Sequence, residues 1–140
     1  MTTPLSIRFD PRLLERLRRR AQSGPGATPP GLAQRFVEEG LRSAEHPGVV
    51  FKDGPSGRRA ALPLGPDVWE IVKVLREIDE RGRDAVTAAT EVLALPETRV
   101  RAAIHYYTDY PDEVDAEIAE ADRVSASAEK AWRTEQRLLA

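Results

Sequence analysis

The sequence predicts a mainly helical fold, built from two small modules and a helical tail. The chain has 140 residues, which allows one ordinary domain or two small ones. An alternating segment near the N-terminus is followed by two stretches with apolar residues at helical spacing. A turn-rich region then precedes further helical patterns. The predicted modules cover residues 1–44 and 46–118, and the tail covers residues 119–140.

The first module predicts one strand and two helices. Apolar residues alternate with polar ones in the strand, at Leu5, Ile7 and Phe9. Asp10 and Pro11 predict the start of a helix, and Thr28 predicts the cap of a second one. So small a piece buries little apolar surface alone, and a lone strand lacks backbone partners. We therefore predict a dimer in which two strands pair antiparallel and four helices share a core.

The second module begins with a predicted β-hairpin. Its arms are residues 49–53 and 58–63, and its loop is the four residues 54–57. Asp67 then predicts the start of a helix, and Gly82 predicts its end.

Two short helices joined by a tight turn follow the hairpin and its helix. Asp84 is the predicted cap of the first, residues 93–96 are the turn, and Pro96 opens the second. This order predicts a helix-turn-helix with the hairpin as a wing. Pro111 interrupts the pattern, and apolar residues become sparse in the last helix after Glu120.

Charge is distributed unevenly along the chain. Residues 1–60 hold 11 Lys and Arg against 6 Asp and Glu, whereas the other 80 residues hold 10 against 17. The basic first part indicates a polyanion partner, and the acidic remainder indicates a different one.

Composition excludes several kinds of chemistry. The chain has no cysteine, which excludes disulfides, thiol catalysis and cysteine-bound metals. His46 is interpreted as a linker residue and His105 as a structural histidine. No nucleophile accompanies a base, so we expect no enzymatic activity and no cofactor or metal. No apolar run approaches the length of a membrane span or signal peptide, so we expect a cytoplasmic protein without membrane association.

Several segments resemble known families. Residues 5–17 (LSIRFDPRLLERL) and the stretch from Thr28 to Leu41 resemble the ribbon-helix-helix family of the CopG, Arc and MetJ type. Residues 46–118 resemble a small helix-turn-helix family found mainly in toxin–antitoxin loci, and the best match is residues 100–115 (VRAAIHYYTDYPDEVD). The order of the two modules is similar to that of VapB-like antitoxins, which typically accompany a PIN-type ribonuclease toxin. The resemblance spans residues 4–118 and leaves the tail unmatched.

The resemblance implies where DNA bases are read. In ribbon-helix-helix proteins the outward residues of the strand enter the major groove, and here these are Ser6 and Arg8. Arg8 suits guanine, because a guanidinium bonds O6 and N7 together and discriminates by about 1–3 kcal/mol.

The resemblance also implies a phosphate clamp at the start of the second helix. The clamp would involve Thr28 and the backbone N–H groups of Gly31 and Leu32. This sequence departs from the usual pattern because residues 29 and 30 are prolines without an N–H. We therefore expect a weakened clamp, with Arg12 and its neighbouring arginines supplying phosphate contacts instead.

The second module allows two interpretations. Arg58 and Arg59 on the wing, with Arg99 and Arg101 near the recognition helix, indicate a second DNA contact. The acidic residues around them favour dimerisation or toxin binding instead.

The tail carries apolar anchors on a polar helix. Trp132 and Leu138 lack an evident partner in their own chain, and aromatic anchors are enriched at interfaces. The resemblance implies that the tail covers the toxin, with Arg133 or Arg137 entering the acidic metal site of a PIN nuclease. The alternative is that Trp132 folds back on its own module or on the dimer partner.

Together these expectations predict the antitoxin of a type II system. It would form a homodimer or higher oligomer, neutralise a PIN-like ribonuclease and repress its own operon. Two-fold symmetry predicts an inverted repeat in the operator DNA. The alternatives are a stand-alone repressor without a toxin, and an interaction scaffold whose ribbon serves only for dimerisation.

Overall fold

The computed structural model describes residues 1–55 and 57–140. The fold is mainly helical with one small antiparallel sheet, as the sequence predicts. Its elements are α1 (Pro11–Gln22), α2 (Pro29–Glu45), β1 (Val50–Gly54), β2 (Gly57–Ala61), α3 (Val68–Glu77), α4 (Arg83–Leu93), α5 (Glu97–Asp109) and α6 (Pro111–Leu139). The chain divides into two compact units, Met1–Arg42 and Ser43–Ala140, which we call the N-terminal and C-terminal units.

Local capping starts both helices of the N-terminal unit where the sequence predicts. The Asp10 carboxylate accepts the backbone N–H groups of Arg12 at 2.9 Å and Leu13 at 3.4 Å, so α1 begins at once. The Thr28 hydroxyl accepts the N–H of Gly31 at 3.2 Å at the start of α2. The second helix continues to Glu45, one residue beyond the predicted first module.

The predicted N-terminal strand is not formed in the single chain. Residues 1–10 belong to no helix or strand, and all of them are exposed. The strand was expected to pair with a second copy, and the described N-terminal unit contains no other strand that offers it a ladder.

The hairpin differs from its prediction in the length of its loop. β1 and β2 pair antiparallel, and Gly54 lies opposite Gly57 at the end of the ladder. The predicted four-residue loop is therefore wrong, because both glycines belong to the strands. Gly57 has φ +113°, a conformation that glycine adopts without steric cost. Ser56 lies outside the described residues.

The start of α3 is predicted correctly, but its end is not. Asp67 donates its backbone N–H to the Glu70 carboxylate at 2.7 Å, one half of a capping box. The helix ends at Glu77, not at Gly82. Gly82 instead precedes α4 with φ +62°, which displaces the predicted cap Asp84 into the first turn.

One apolar core holds the C-terminal unit together. Helix α3 packs against β2, α4, α5 and α6. The buried residues of this core are Val49, Ala60, Leu62, Val68, Ile71, Val72, Val86, Ala89, Val100, Ala103, Tyr106, Val114 and Ile118.

The predicted tail is a continuation of α6. This helix has 29 residues, and only its first part reaches the core, through Val114 and Ile118. Every residue from 122 to 140 is exposed. At about 1.5 Å per residue, the exposed part from 122 to 139 is about 27 Å long. Over the described residues, no helix has the length and apolar character needed to cross a membrane.

Candidate nucleic-acid and protein interfaces

In the N-terminal segment, residues 1–10, the polar and the apolar side chains are both exposed. Ser6 and Arg8, the expected base readers, are exposed. The alternating apolar residues are exposed as well: Leu5 retains 81% of its accessible area and Ile7 retains 57%. Residues 1–42 contain eight arginines against four acidic residues, which gives the unit a net charge of +4.

A row of arginines follows on α1. Arg12, Arg16 and Arg19 lie at positions i, i+4 and i+7, so they share one face of the helix. Arg19 lies 3.5 Å from the Glu15 carboxylate, with both side chains mostly exposed. Such surface pairs contribute at most about 1 kcal/mol, so this contact does little to withhold the arginine from a phosphate.

The start of α2 offers few donors to a phosphate. Gly31 gives its N–H to the Thr28 hydroxyl, and Leu32 gives its N–H to the Thr28 carbonyl at 2.9 Å. The Leu32 side chain is buried. Both expected clamp donors thus already have acceptors within the helix. The two prolines before them have no backbone N–H to donate. What the helix end retains for an anion is its dipole.

An apolar groove lies between the N-terminal segment and α2. It has a volume of about 820 Å³, and its lining includes Leu5, Ile7, Phe9 and Val37. The groove lies within the N-terminal unit and is bordered by its exposed alternating residues.

The two arginines of β2 already have contacts within the unit. Arg59 is buried, with 8% of its area accessible, and its guanidinium lies 5.8 Å from the Trp69 ring centre. It therefore does not face an outside phosphate. Arg58 forms an ion pair with Asp53 at 3.3 Å.

The two arginines of α5 differ from each other. Arg99 is exposed near the start of the helix. Arg101 is paired with Glu97 on the same helix at 2.8 Å. Residues 43–140 carry 13 Lys and Arg against 19 Asp and Glu, a net charge of −6. This balance disfavours duplex DNA over most of the unit.

The tyrosine-rich stretch joins α5 to α6. Tyr106 donates its hydroxyl to the Glu113 carboxylate at 2.6 Å, and Tyr107 donates to Asp115 at 2.9 Å. Arg76 from α3 bonds both Tyr107 and Asp115. The Arg76 guanidinium, followed by the Tyr107 hydroxyl, holds the pKa of Asp115 below its ordinary value. These hydrogen bonds hold α3, α5 and α6 together.

His46 lies in the core rather than in a linker. Its ring meets the rings of Tyr106 at 5.3 Å and Tyr110 at 6.0 Å edge-on. Its Nε2 is 2.9 Å from an Asp109 carboxylate oxygen, but the pair lacks hydrogen-bond geometry. The interpretation of His46 as a linker residue is wrong, because α5 returns over it in the folded unit.

Another polar side chain with a buried atom lies on α6, and sequence reasoning missed it. The Glu117 Oε2 atom is shielded from water and has no hydrogen-bond partner. Burial raises the pKa of Glu117 to about 7; Glu113 and Asp67 add to the rise, and Arg59 opposes it. The sequence around position 117 does not predict its burial, because the apolar pattern of α6 places Ile118, and not Glu117, on the buried face.

The predicted contact residues of the tail are all exposed. Trp132 retains 59% of its accessible area and Leu138 retains 83%. Arg133 is paired with Glu129 one turn earlier, and Arg137 bonds the Thr134 hydroxyl at 3.4 Å.

Neither a metal centre nor a relative helps to interpret these surfaces. In the part of the chain that the structure describes, no three His, Asp or Glu side chains form a metal-binding group. Compared with protein-family models, curated proteins and solved structures, the chain shows no match.

Proposed function

We propose that this protein is a DNA-binding dimer and the antitoxin of a type II toxin–antitoxin system. Its N-terminal unit would pair two chains as a ribbon-helix-helix and read an inverted repeat in its own operator. Its winged C-terminal unit and tail would bind a PIN-like ribonuclease. In this account the protein acts by binding, and it is not an enzyme.

The observation that carries the proposal is the exposure of both faces of the N-terminal segment. Leu5 and Ile7 are apolar and exposed, which is costly for a stable monomer and expected of a surface awaiting a partner. Pairing two such segments antiparallel would bury these residues and satisfy the backbone groups of both strands. It would also bring Ser6 and Arg8 of each chain to the opposite face, beside the arginines of α1.

The partner of the C-terminal unit is inferred from charge and from the tail. A net charge of −6 suits a protein surface better than DNA. Trp132 and Leu138 provide exposed anchors of the kind that dominate protein interfaces. Arg133 and Arg137 lie beside them and suit an acidic metal site.

Footprinting on the DNA upstream of the protein's own gene tests the DNA-binding half. We expect protection of an inverted repeat. Arg8→Ala should weaken specific binding at least about tenfold, since each base contact is worth about 1–3 kcal/mol. Arg83→Ala removes an exposed arginine from the C-terminal unit and serves as the matched control. Equal binding by Arg8→Ala and the wild type would contradict base reading by the segment.

Co-expression with the neighbouring reading frame, with a tag on this chain only, tests the antitoxin half. A stoichiometric complex with a nuclease that carries an acidic cluster would support it. Truncation before Glu120 should then weaken the complex. If the neighbour is soluble and harmless alone and does not co-purify, the second candidate function, a stand-alone repressor, is favoured. The exposed Arg8 and the α1 arginines support DNA binding in either case.

A further inference from the structure

Two charged side chains of opposite sign, Arg59 and Glu117, each have a buried atom without a hydrogen-bond partner. These atoms are the Arg59 Nη1 and the Glu117 Oε2, and within the described part of the chain neither has a partner. The nitrogen is a donor and the oxygen is an acceptor. A buried polar atom that is left unpaired lowers stability, so a change that joins these two atoms would remove two such costs together.

The two side chains come from different elements but face each other. Arg59 lies on β2 and Glu117 on α6, so a bond between them would connect the hairpin to the last helix. Burial raises the pKa of Glu117, and the positive charge of Arg59 opposes the rise, so the guanidinium acts on this carboxylate. The Arg59 guanidinium lies over the Trp69 ring, 5.8 Å from its centre.

Glu117 belongs to an acidic stripe on α6. Steps of four and three residues connect it to Glu113 and Glu120 on the same side of the helix. The other two carboxylates have partners: Tyr106 of α5 donates its hydroxyl to Glu113 at 2.6 Å, and Arg123 bonds Glu120 at 2.7 Å. Glu117 is the member of this stripe whose buried oxygen has no partner among the described residues.

The other charges that α3 directs at α6 are paired. Lys73 lies 2.6 Å from Asp122, and Arg76 bonds Asp115. These pairs lie on either side of Glu117 along α6 and fix the helix to α3. Arg59 is the cation whose charge opposes the rise in the pKa of Glu117.

The surroundings of Glu117 make its charge responsive near neutral pH. Burial, followed by the carboxylates of Glu113 and Asp67, raises its pKa to about 7. Asp67 precedes α3 and accepts the Trp69 Nε1–H at 3.0 Å. The Trp69 side chain therefore contacts both a neighbour that repels the charge of Glu117 and, through its ring, the cation that attracts it.

We propose that ionisation of Glu117 draws the Arg59 guanidinium off the Trp69 ring and into an ion pair with the Glu117 carboxylate. The proton passes to water, and no covalent bond other than its own O–H changes. In the neutral form Arg59 lies over Trp69, whereas in the ionised form it joins β2 to α6. This switch goes beyond the proposed function and does not depend on it. A ligand that binds one form more tightly would shift the balance between them.

The packing of α6 favours pairing over an outward movement of the helix. An ionised carboxylate in the interior needs a partner or water. Val114 and Ile118 lie close to Glu117 along the chain and belong to the core, so moving this part of α6 outward would open the core. Movement of the Arg59 side chain leaves the core closed, and opposite charges attract more strongly in the interior than in water.

An NMR titration of the full-length chain from about pH 5 to about pH 9 tests the switch. The side-chain carboxyl carbon of Glu117 reports its ionisation. The side-chain protons of Arg59 report their position, because protons above an aromatic ring resonate upfield. We expect the Arg59 resonances to move downfield with the same midpoint as the Glu117 carbon, near pH 7. Titration of Glu117 while the Arg59 resonances stay in place would overturn the proposal.

Glu117→Gln keeps the size of the side chain and removes its charge. In this variant the Arg59 resonances should stay upfield over the whole range of pH. Glu129→Gln changes a carboxylate on the exposed part of the same helix and should behave as the wild type does. A downfield movement of Arg59 that persists in Glu117→Gln would show that another group drives it, and would also overturn the proposal.

Amide hydrogen exchange distinguishes pairing from opening of the helix. At about pH 8 the wild type and Glu117→Gln should have the same protection in α6, when each is compared with its own α3 and α5. Selective loss of protection between residues 113 and 118 of the wild type would show that α6 opens to hydrate Glu117. That result would contradict the ion pair with Arg59.

Discussion

The two compact units bury their apolar residues to different extents. In the C-terminal unit large apolar side chains such as Tyr106, Leu62 and Ile71 are fully buried in a core around α3. Among the hydrophobic residues of the N-terminal unit only Ala21 and Leu32 are buried. The C-terminal unit has a core of its own, whereas the N-terminal unit has the pattern of a core that is shared with another chain.

The difference originates in how each unit uses its strands. Residues 50–61 contain both strands of a hairpin, so the ladder closes within the chain. Residues 5–9 have the alternation of a strand but no second strand in their unit. A unit that lacks one half of its sheet cannot cover the apolar face of that sheet. Association is therefore expected in the N-terminal unit, and not in the core of the other.

The largest expected effect is a cavity in the C-terminal core. Ile71→Ala should lower the free energy of unfolding by about 2–5 kcal/mol, because Ile71 is fully buried. Denaturant unfolding followed by circular dichroism measures the loss, which should not depend on protein concentration.

Ile7→Ala is the matched change in the N-terminal unit. It should cost little in dilute protein, where Ile7 is exposed, and more at concentrations where the chains pair. An equal cost for Ile7→Ala at all concentrations would remove the distinction between the two units.

A smaller loss of stability is expected when a hydrogen bond between α5 and α6 is removed. Tyr106→Phe removes the hydroxyl that Glu113 accepts at 2.6 Å, and should lower the free energy of unfolding by about 1 kcal/mol. Tyr107→Phe should cost less, because Asp115 keeps its contact with Arg76. The two variants are compared by thermal unfolding, and the reverse order would contradict the role given to Tyr106.

The pH dependence of the C-terminal unit should report on Glu117. Its pKa in the folded protein is about 7, raised from 4.5, so the folded state holds more protons than the unfolded state between these values. The free energy of unfolding should therefore fall as pH rises from about 4.5 to about 7.

Glu117→Gln removes this titration. The variant should gain thermal stability relative to the wild type at pH 8, with a smaller difference at pH 4.5. Glu129→Gln, on the exposed part of the same helix, is the control. Matching pH profiles for the wild type and Glu117→Gln would contradict the assignment.

The sequence predicts those parts of the fold that depend on neighbouring residues. Asp10 and Thr28 cap helices through hydrogen bonds that span two or three residues, so their pattern suffices. The loop of the hairpin is mispredicted because glycines at 54 and 57 suit a loop and a strand end equally. The second strand also packs against α3, which lies further along the chain, and the local pattern of the hairpin does not show this contact.

Side chains whose environment comes from distant elements escape prediction. Arg59 has the sequence context of an exposed wing, yet Trp69 of α3 covers it. His46 is buried by α5, about sixty residues later in the chain. Ser6 and Arg8 are exposed, but so is every other residue from 1 to 10, so their exposure does not test the alternation that singled them out. Their role in DNA binding stays a prediction.

Amide hydrogen exchange at several protein concentrations tests the central contrast most directly. The account predicts that protection in α1 and α2 increases with concentration, as the N-terminal units pair. Protection in α3, α4 and α5 should not change, because their core closes within one chain. Protection of α1 and α2 that is high and independent of concentration would show that the N-terminal unit needs no partner, and would contradict the account.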